Sequence, residues 1–373
     1  MTDARHRRGY LDWMRGLAVL VMIEAHVVDS WTRPEARRSW QFMWSIIVGG
    51  FGAPLFLFLA GASVALSAGS KWRRSGRAGD AARAVMRRGA WIFLLAFVFR
   101  VQAWILGLAA PWTLMKVDIL NIMGPAVVAA AALWGVLATP QARVAGMAAA
   151  TLATAALAPI VWHLPALDAW PEALAGYLRP SVGLSNFSFF PWAGFVFAGG
   201  TVGVLIDEAR TTADETRLNL RLLIGGAALA AGAWAASFLP TPYPHSNFWG
   251  ASPAFFLLRC GVMMQATGIA YGWESGARVL RRALPAAPGD AAGRWSPMQL
   301  FGRHSLFIYW IHVEMVYGLI SLRIHRGLSL PAVWAALGLF TLFMLGCAAA
   351  KEHVAARRKA GRTRPDAAAC SMP

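Results

Sequence analysis

The chain has 373 residues, of which 57% are hydrophobic and only 14% charged. Soluble domains run near 45–50% apolar and about 25% charged, so a soluble globular fold is excluded and the apolar surplus has to face lipid. The formal charge of +17 sits in short clusters between apolar runs, the pattern that orients a membrane protein, and nucleic-acid binding is set aside.

A crossing of a hydrocarbon core of roughly 30 Å takes about 20 mostly apolar residues. Such runs are predicted near 11–29, 41–68, 87–108, 117–138, 142–164, 187–207, 218–240, 253–274, 298–324 and 331–350. The first follows Arg5, Arg7 and Arg8 and imitates a secretory signal. Asp12, Arg15, Glu24 and His26 interrupt it, and no small-x-small cleavage pattern follows, so it reads as a retained helix. The second is long and holds Gly49, Gly50, Gly52 and Pro54, which predict a break. In the sixth, Gly199 and Gly203 allow close helix contact. With the N-terminus in the cytoplasm, 25 of the 35 Lys and Arg fall on inside segments. The outside ones are Arg33, Arg37, Arg38, Lys116, Arg179, Arg323 and Arg326. The expectation is one all-α membrane domain over 1–350 with about ten spans, both termini cytoplasmic, and a basic tail at 351–373. Cys260, Cys347 and Cys370 form neither a disulfide framework nor a metal motif, and no metal is expected.

Ionisable groups inside a span are costly and mark function or a structural ion pair. In the first run, Arg15 and His26 are eleven residues apart, which brings them within about 20° of one helix face and roughly 16 Å apart along it. Asp12 and Asp29 lie near the same stripe, and Glu24 points elsewhere. A near-neutral histidine can take a proton from an attacking hydroxyl or amine, and Asp29 is placed to fix its tautomer. Other runs add Arg100, Asp118 and Asn121 in KVDILNIMGP, Arg259, and His312 in LFGRHSLFIYWIHVEMVYG. Singly, each is as well explained by an ion pair; as a set they predict a hydrophilic site. No G-x-S-x-G elbow, P-loop, dinucleotide fingerprint or HExxH occurs.

Arg15 and His26, with ten residues between them, resemble the Arg-x10-His signature of the acyltransferase-3 superfamily. The ordered blocks LDWMRGLAVLVMIEAH, FGAPLFLFLAGASVALS, VDILNIMG, SFFPWAGFVFAGGTVG and FGRHSLFIYWIHVEMVYG resemble more closely the bacterial heparan-α-glucosaminide N-acetyltransferase-like proteins. The resemblance implies acetyl-CoA or another acyl-CoA supplied from the cytosol, and a sugar or glycan acceptor across the cell membrane. It implies His26 as the catalytic histidine, with Arg15 beneath it. The expectation is therefore acyl transfer, with Arg100 or Arg259 stabilising the oxyanion and with Asp118, Asn121 and His312 contributing to substrate binding. Lipid is a partner, nucleic acid is not, and homo-oligomer formation stays open. The competing class is a transporter or flippase that uses the same groups as a substrate or proton path.

Overall fold

The computed structural model describes residues 8–107, 110–283 and 296–362. The expected basic residues Arg5, Arg7 and Arg294, and the tail beyond 362, lie outside them. The described residues contain no strand, only three isolated backbone bridges. The helices are α1 (Gly9–Trp31), α2 (Trp40–Gly49), α3 (Gly52–Ser75), α4 (Ala78–Gly107), α5 (Ile119–Val136), α6 (Pro140–Val161) and α7 (Glu172–Ala175). They continue with α8 (Phe189–Glu208), α9 (Thr212–Ala236), α10 (Pro253–Ala283), α11 (Pro297–Arg303), α12 (Ser305–Tyr317) and α13 (Leu330–Arg362). The expected break in the second run falls between α2 and α3, at Gly50 and Phe51.

Among the described residues seven helical runs are long and apolar enough to cross a membrane: Trp40–Ser75, Ile119–Val136, Pro140–Val161, Phe189–Glu208, Thr212–Ala236, Pro253–Ala277 and Leu330–Arg358. The protein is a multi-pass membrane protein. The other three expected runs are helical but different in kind. α1 carries Asp12, Arg15, Glu24 and Asp29, and α4 carries Arg83, Arg87, Arg88 and Arg100. The run 298–324 is split at His304 into α11 and α12 and ends in a 3-10 turn at Leu319–Ser321. The last helix does not stop at 350 but continues to Arg362.

Helix starts follow local chemistry. Thr139 accepts from the Ala142 amide ahead of Pro140, and Ser296 accepts from the Gln299 amide ahead of Pro297. Thr211 and Asp214 cap each other's backbone at the start of α9. Each arrangement satisfies amides that the first helical turn leaves without partners.

The chain divides into two compact units, residues 1–49 with 286–373 and residues 50–285. In the first, α1 and α11 approach through glycine on both sides. A Cβ on Gly16 would lie 1.9 Å from the Met298 carbonyl, and one on Gly302 would lie 1.8 Å from that of Asp12. The Trp31 ring meets Phe340 of α13 edge-on at 5.6 Å. In the second unit α3 and α8 pack backbone to backbone, with Gly199 against Phe58 and Gly203 against Ala62. This is the contact that the small residues of the sixth run predict, and small residues are what let helices associate in lipid, where burial of apolar surface drives little.

Candidate functional site

α1 is embedded along most of its surface. Leu11, Met14, Ala18, Val19, Met22, Ile23, Val27 and Val28 are all buried, so the polar side chains of the helix have fixed surroundings. At its start the Arg15 guanidinium pairs with Asp12 at 2.5 Å. Toward its C-terminal end His26 Nδ1 lies 2.9 Å from Nε2 of His312 on α12. The two rings are nearly parallel, 14° apart, with centroids 5.1 Å from each other. Tyr317 packs edge-on to His26 at 5.5 Å, and Tyr309 edge-on to His312 at 6.0 Å.

The hydrogen bonds assign the protons of the neutral pair. His312 Nδ1 is 2.7 Å from the Ile308 carbonyl, and a carbonyl only accepts, so this nitrogen carries the hydrogen. His312 Nε2 is then a lone pair and accepts from His26 Nδ1. The remaining nitrogen of His26, Nε2, is left unprotonated, the form a general base requires. His312 is fully buried, and its orientation is set by its own helix.

The ends of α1 and α12 are tied together. Ser30 Oγ donates to the Val316 carbonyl at 3.0 Å, and Trp31 Nε1 reaches the same oxygen at 3.3 Å. The segment after α12 returns to α1 through Arg326 N to the Ser30 carbonyl and Leu328 N to the Trp31 carbonyl. His325 Nδ1 lies 3.2 Å from Ser30 Oγ. These bonds hold the register that brings the two imidazoles together. The Asp29 carboxylate takes the Tyr317 hydroxyl at 3.3 Å and Arg37 at 3.4 Å, and Arg37 also bonds the Asp29 carbonyl. The ring nitrogen that the sequence assigned to Asp29 is thus occupied by His312.

In the second unit Asp118 opens α5. Its carboxylate accepts from the amides of Leu120 (2.8 Å) and Asn121 (3.3 Å), while the Asn121 side chain accepts from the Asp118 amide and donates to the Tyr177 hydroxyl. The second oxygen of Asp118 lies 2.9 Å from the Arg100 guanidinium. Asp118 and Asn121 therefore form a capping box held by an ion pair, a structural task complete in itself. Burial, and then the positive charge of Arg100, hold the Lys116 ammonium below the ordinary lysine value.

Arg259 is placed differently. Its guanidinium lies 3.8 Å over the Phe255 ring and 6.0 Å from that of Trp192. Its Nε meets no hydrogen-bond acceptor among the described residues. The aromatic faces offset part of its charge.

Sequence reading did not single out Tyr317, Tyr177 or Arg143. Tyr317 falls in the same block as His312, five residues on, where position alone offered no role. Arg143 read as a loop cation, but it is buried, 3.7 Å from the Trp134 ring, with Nε donating to the Trp134 and Leu137 carbonyls.

The family model described as "Heparan-alpha-glucosaminide N-acetyltransferase, catalytic" matches residues 7–234. That stretch contains Arg15, His26, Asp29, Arg100, Asp118 and Asn121 and ends before Arg259 and His312. No curated protein matches the chain.

Proposed function

The chain belongs to the heparan-α-glucosaminide N-acetyltransferase catalytic family, and on that premise we propose that it moves an acetyl group from cytosolic acetyl-CoA to a hydroxyl or amine of an extracytoplasmic sugar. The observation that carries the mechanism is the bond between His26 Nδ1 and His312 Nε2, which leaves His26 Nε2 as a lone pair. In the proposed step His26 Nε2 takes the proton of the acceptor as its oxygen or nitrogen forms a bond to the thioester carbonyl carbon. The tetrahedral intermediate collapses, the C–S bond breaks, and the proton on His26 passes to the departing thiolate. CoA leaves as the thiol and the histidine returns to its starting form. The charge that builds on His26 during the step is shared with His312 through their common hydrogen bond.

Arg259, whose Nε has no acceptor among the described residues, keeps a fixed positive charge that is proposed to meet an anionic group. Arg15, paired with Asp12, is proposed to act through the first turn of α1 and not on the reacting atoms. The distribution of Lys and Arg supports ten crossings of the cell membrane with both ends cytoplasmic. His26 then stands toward the outer interface, where a sugar acceptor arrives.

The test is transfer of radiolabelled acetyl from acetyl-CoA, by the purified chain in lipid, to a panel of amino and hydroxy sugars. His26→Ala is expected to lower the turnover by about 10²- to 10⁴-fold, the span of positioned acid–base catalysis. Label transfer that survives this substitution refutes the mechanism, and failure to bind CoA at all refutes the reaction class.

A further inference from the structure

α4 has two unlike faces. Ala82, Val85, Ala96 and Phe99 are buried, and a Cβ on Gly89 would lie 2.9 Å from the Gly124 carbonyl oxygen, which sets this side against α5. The opposite side opens with arginine and continues as an apolar stripe. At 100° per residue, Arg87, Trp91, Leu94, Val98 and Val101 fall within about 80° of one another. Trp91, Leu94, Val98 and Val101 are 70%, 52%, 52% and 46% exposed. From Trp91 to Val101 the helix rises about 15 Å, half of a hydrocarbon core of roughly 30 Å. On a multi-pass membrane protein an uncovered apolar stripe of this length meets the acyl chains of one leaflet.

The basic residues at its start select among lipids. Arg87 and Arg88 are both exposed. They precede Trp91 by four and three residues, so their side chains leave the helix one turn before the indole, about 40° and 60° to either side of it. The neighbouring arginines are already matched, because Asp80 takes Arg77 at 3.3 Å and takes Arg83 as well. Among the described residues no carboxylate or carbonyl takes Arg87 or Arg88. Two adjacent cations without a counter-ion, one turn from an exposed indole, complement a phosphate at headgroup depth. Fixed positive charge attracts anionic heads there, and the amphipathic indole settles at the same level.

We propose that Arg87, Arg88 and the stripe from Trp91 to Val101 bind a phospholipid with a net negative head. Its phosphate lies between the two guanidiniums, and an acyl chain runs along Leu94, Val98 and Val101. The site belongs to the second unit alone and does not depend on the acyl-transfer reading.

The experiment is equilibrium binding of fluorescent dioleoylphosphatidylglycerol to the purified full chain in maltoside micelles. Dioleoylphosphatidylcholine and inorganic phosphate serve as competitors, and thermal midpoint and light-scattering mass are measured in parallel. Binding is expected to saturate. The double variant Arg87→Gln, Arg88→Gln should weaken it about twentyfold or more, each lost guanidinium counting for about fivefold. Trp91→Ala should weaken it severalfold, and at these exposed positions the thermal midpoint should hold. Arg74→Gln removes a cation at the end of α3 whose Nε bonds the Ser70 carbonyl, and should leave binding unchanged. Unaltered binding in both the double variant and Trp91→Ala overturns the proposal. A loss in Arg74→Gln equal to that in the double variant shows a diffuse positive surface and overturns it too. Equal competition by the phosphatidylcholine overturns the selection for a negative head. Displacement by inorganic phosphate as readily as by lipid overturns the lipid and assigns the arginines to a soluble anion. A dimer that Trp91→Ala dissociates overturns it by showing that a second copy covers the stripe.

Discussion

Replacing His312 tests the proton assignment directly, because this residue is proposed to position His26 and not to touch substrate. In His312→Ala the imidazole that accepts from His26 Nδ1 at 2.9 Å is gone. The N–H of His26 then lacks its partner, and its ring is free to adopt the other tautomer, with Nδ1 bare and Nε2 protonated. Leaving a buried donor unsatisfied costs about 1–3 kcal/mol. At about 1.4 kcal/mol per tenfold in rate, this predicts a fall in kcat of roughly 5- to 150-fold. His312→Gln separates positioning from packing. Its side-chain oxygen can reach the region of the lost Nε2 and accept the same hydrogen, so kcat should recover by about an order of magnitude over the alanine variant. The assay is acetyl transfer under saturating and limiting acetyl-CoA, with thermal midpoints measured in parallel. KM for acetyl-CoA should stay near the wild-type value in both variants. Wild-type kcat in His312→Ala refutes the reasoning. So does an alanine and a glutamine variant that lose activity equally, in step with lowered thermal midpoints.

The Arg100–Asp118 pair gives a second test. Removing one partner of a buried pair costs about 3–5 kcal/mol, so Arg100→Met and Asp118→Leu should each lower the thermal midpoint, and the double variant should lose less than the sum of the two. Gly302→Ala should prevent a monodisperse peak in gel filtration, because its Cβ would lie 1.8 Å from the Asp12 carbonyl and backbone cannot yield as a flexible side chain does. Lys116 supplies a pH prediction. Burial and Arg100 lower its folded pKa, so between the folded and unfolded values the unfolded chain binds more protons and stability rises with pH. Lys116→Met should therefore raise the thermal midpoint at neutral pH, and the gap should close as the pH rises from the depressed value to the ordinary lysine value, read by scanning fluorimetry.

What the sequence made legible were the local features. The break at Gly50 and the close approach at Gly199 and Gly203 follow from glycine's missing side chain. The cap at Asp118 went unread, since Asp118 and Asn121 were expected in substrate binding, although D-x-x-N just before an apolar run is its local pattern. Hydropathy found the apolar spans but averages over the turn at His304 that separates α11 from α12 within 298–324. In α1 the ionisable residues Asp12, Arg15, Glu24, His26 and Asp29 lower the hydropathy, while tertiary packing buries Asp12 and Glu24.

The pairing of His26 with His312 had no such local signal. The two residues are 286 positions apart, and helical periodicity assigns a face to each without naming what stands opposite. By proximity in the chain, Asp29 was the natural partner for His26, at one turn. Two competitors outweigh it. Arg37 and Tyr317 claim the carboxylate, and the bonds from Ser30 and Trp31 to the Val316 carbonyl set α12 at a height that delivers His312. A carboxylate on Nδ1 would strongly stabilise the charged imidazolium. A neutral imidazole with its Nδ1–H committed to a helix carbonyl orients the ring without adding a formal charge. In a low-dielectric interior, where an unpaired ion costs several kcal/mol, this second arrangement leaves the proposed base its lone pair while keeping the pair neutral.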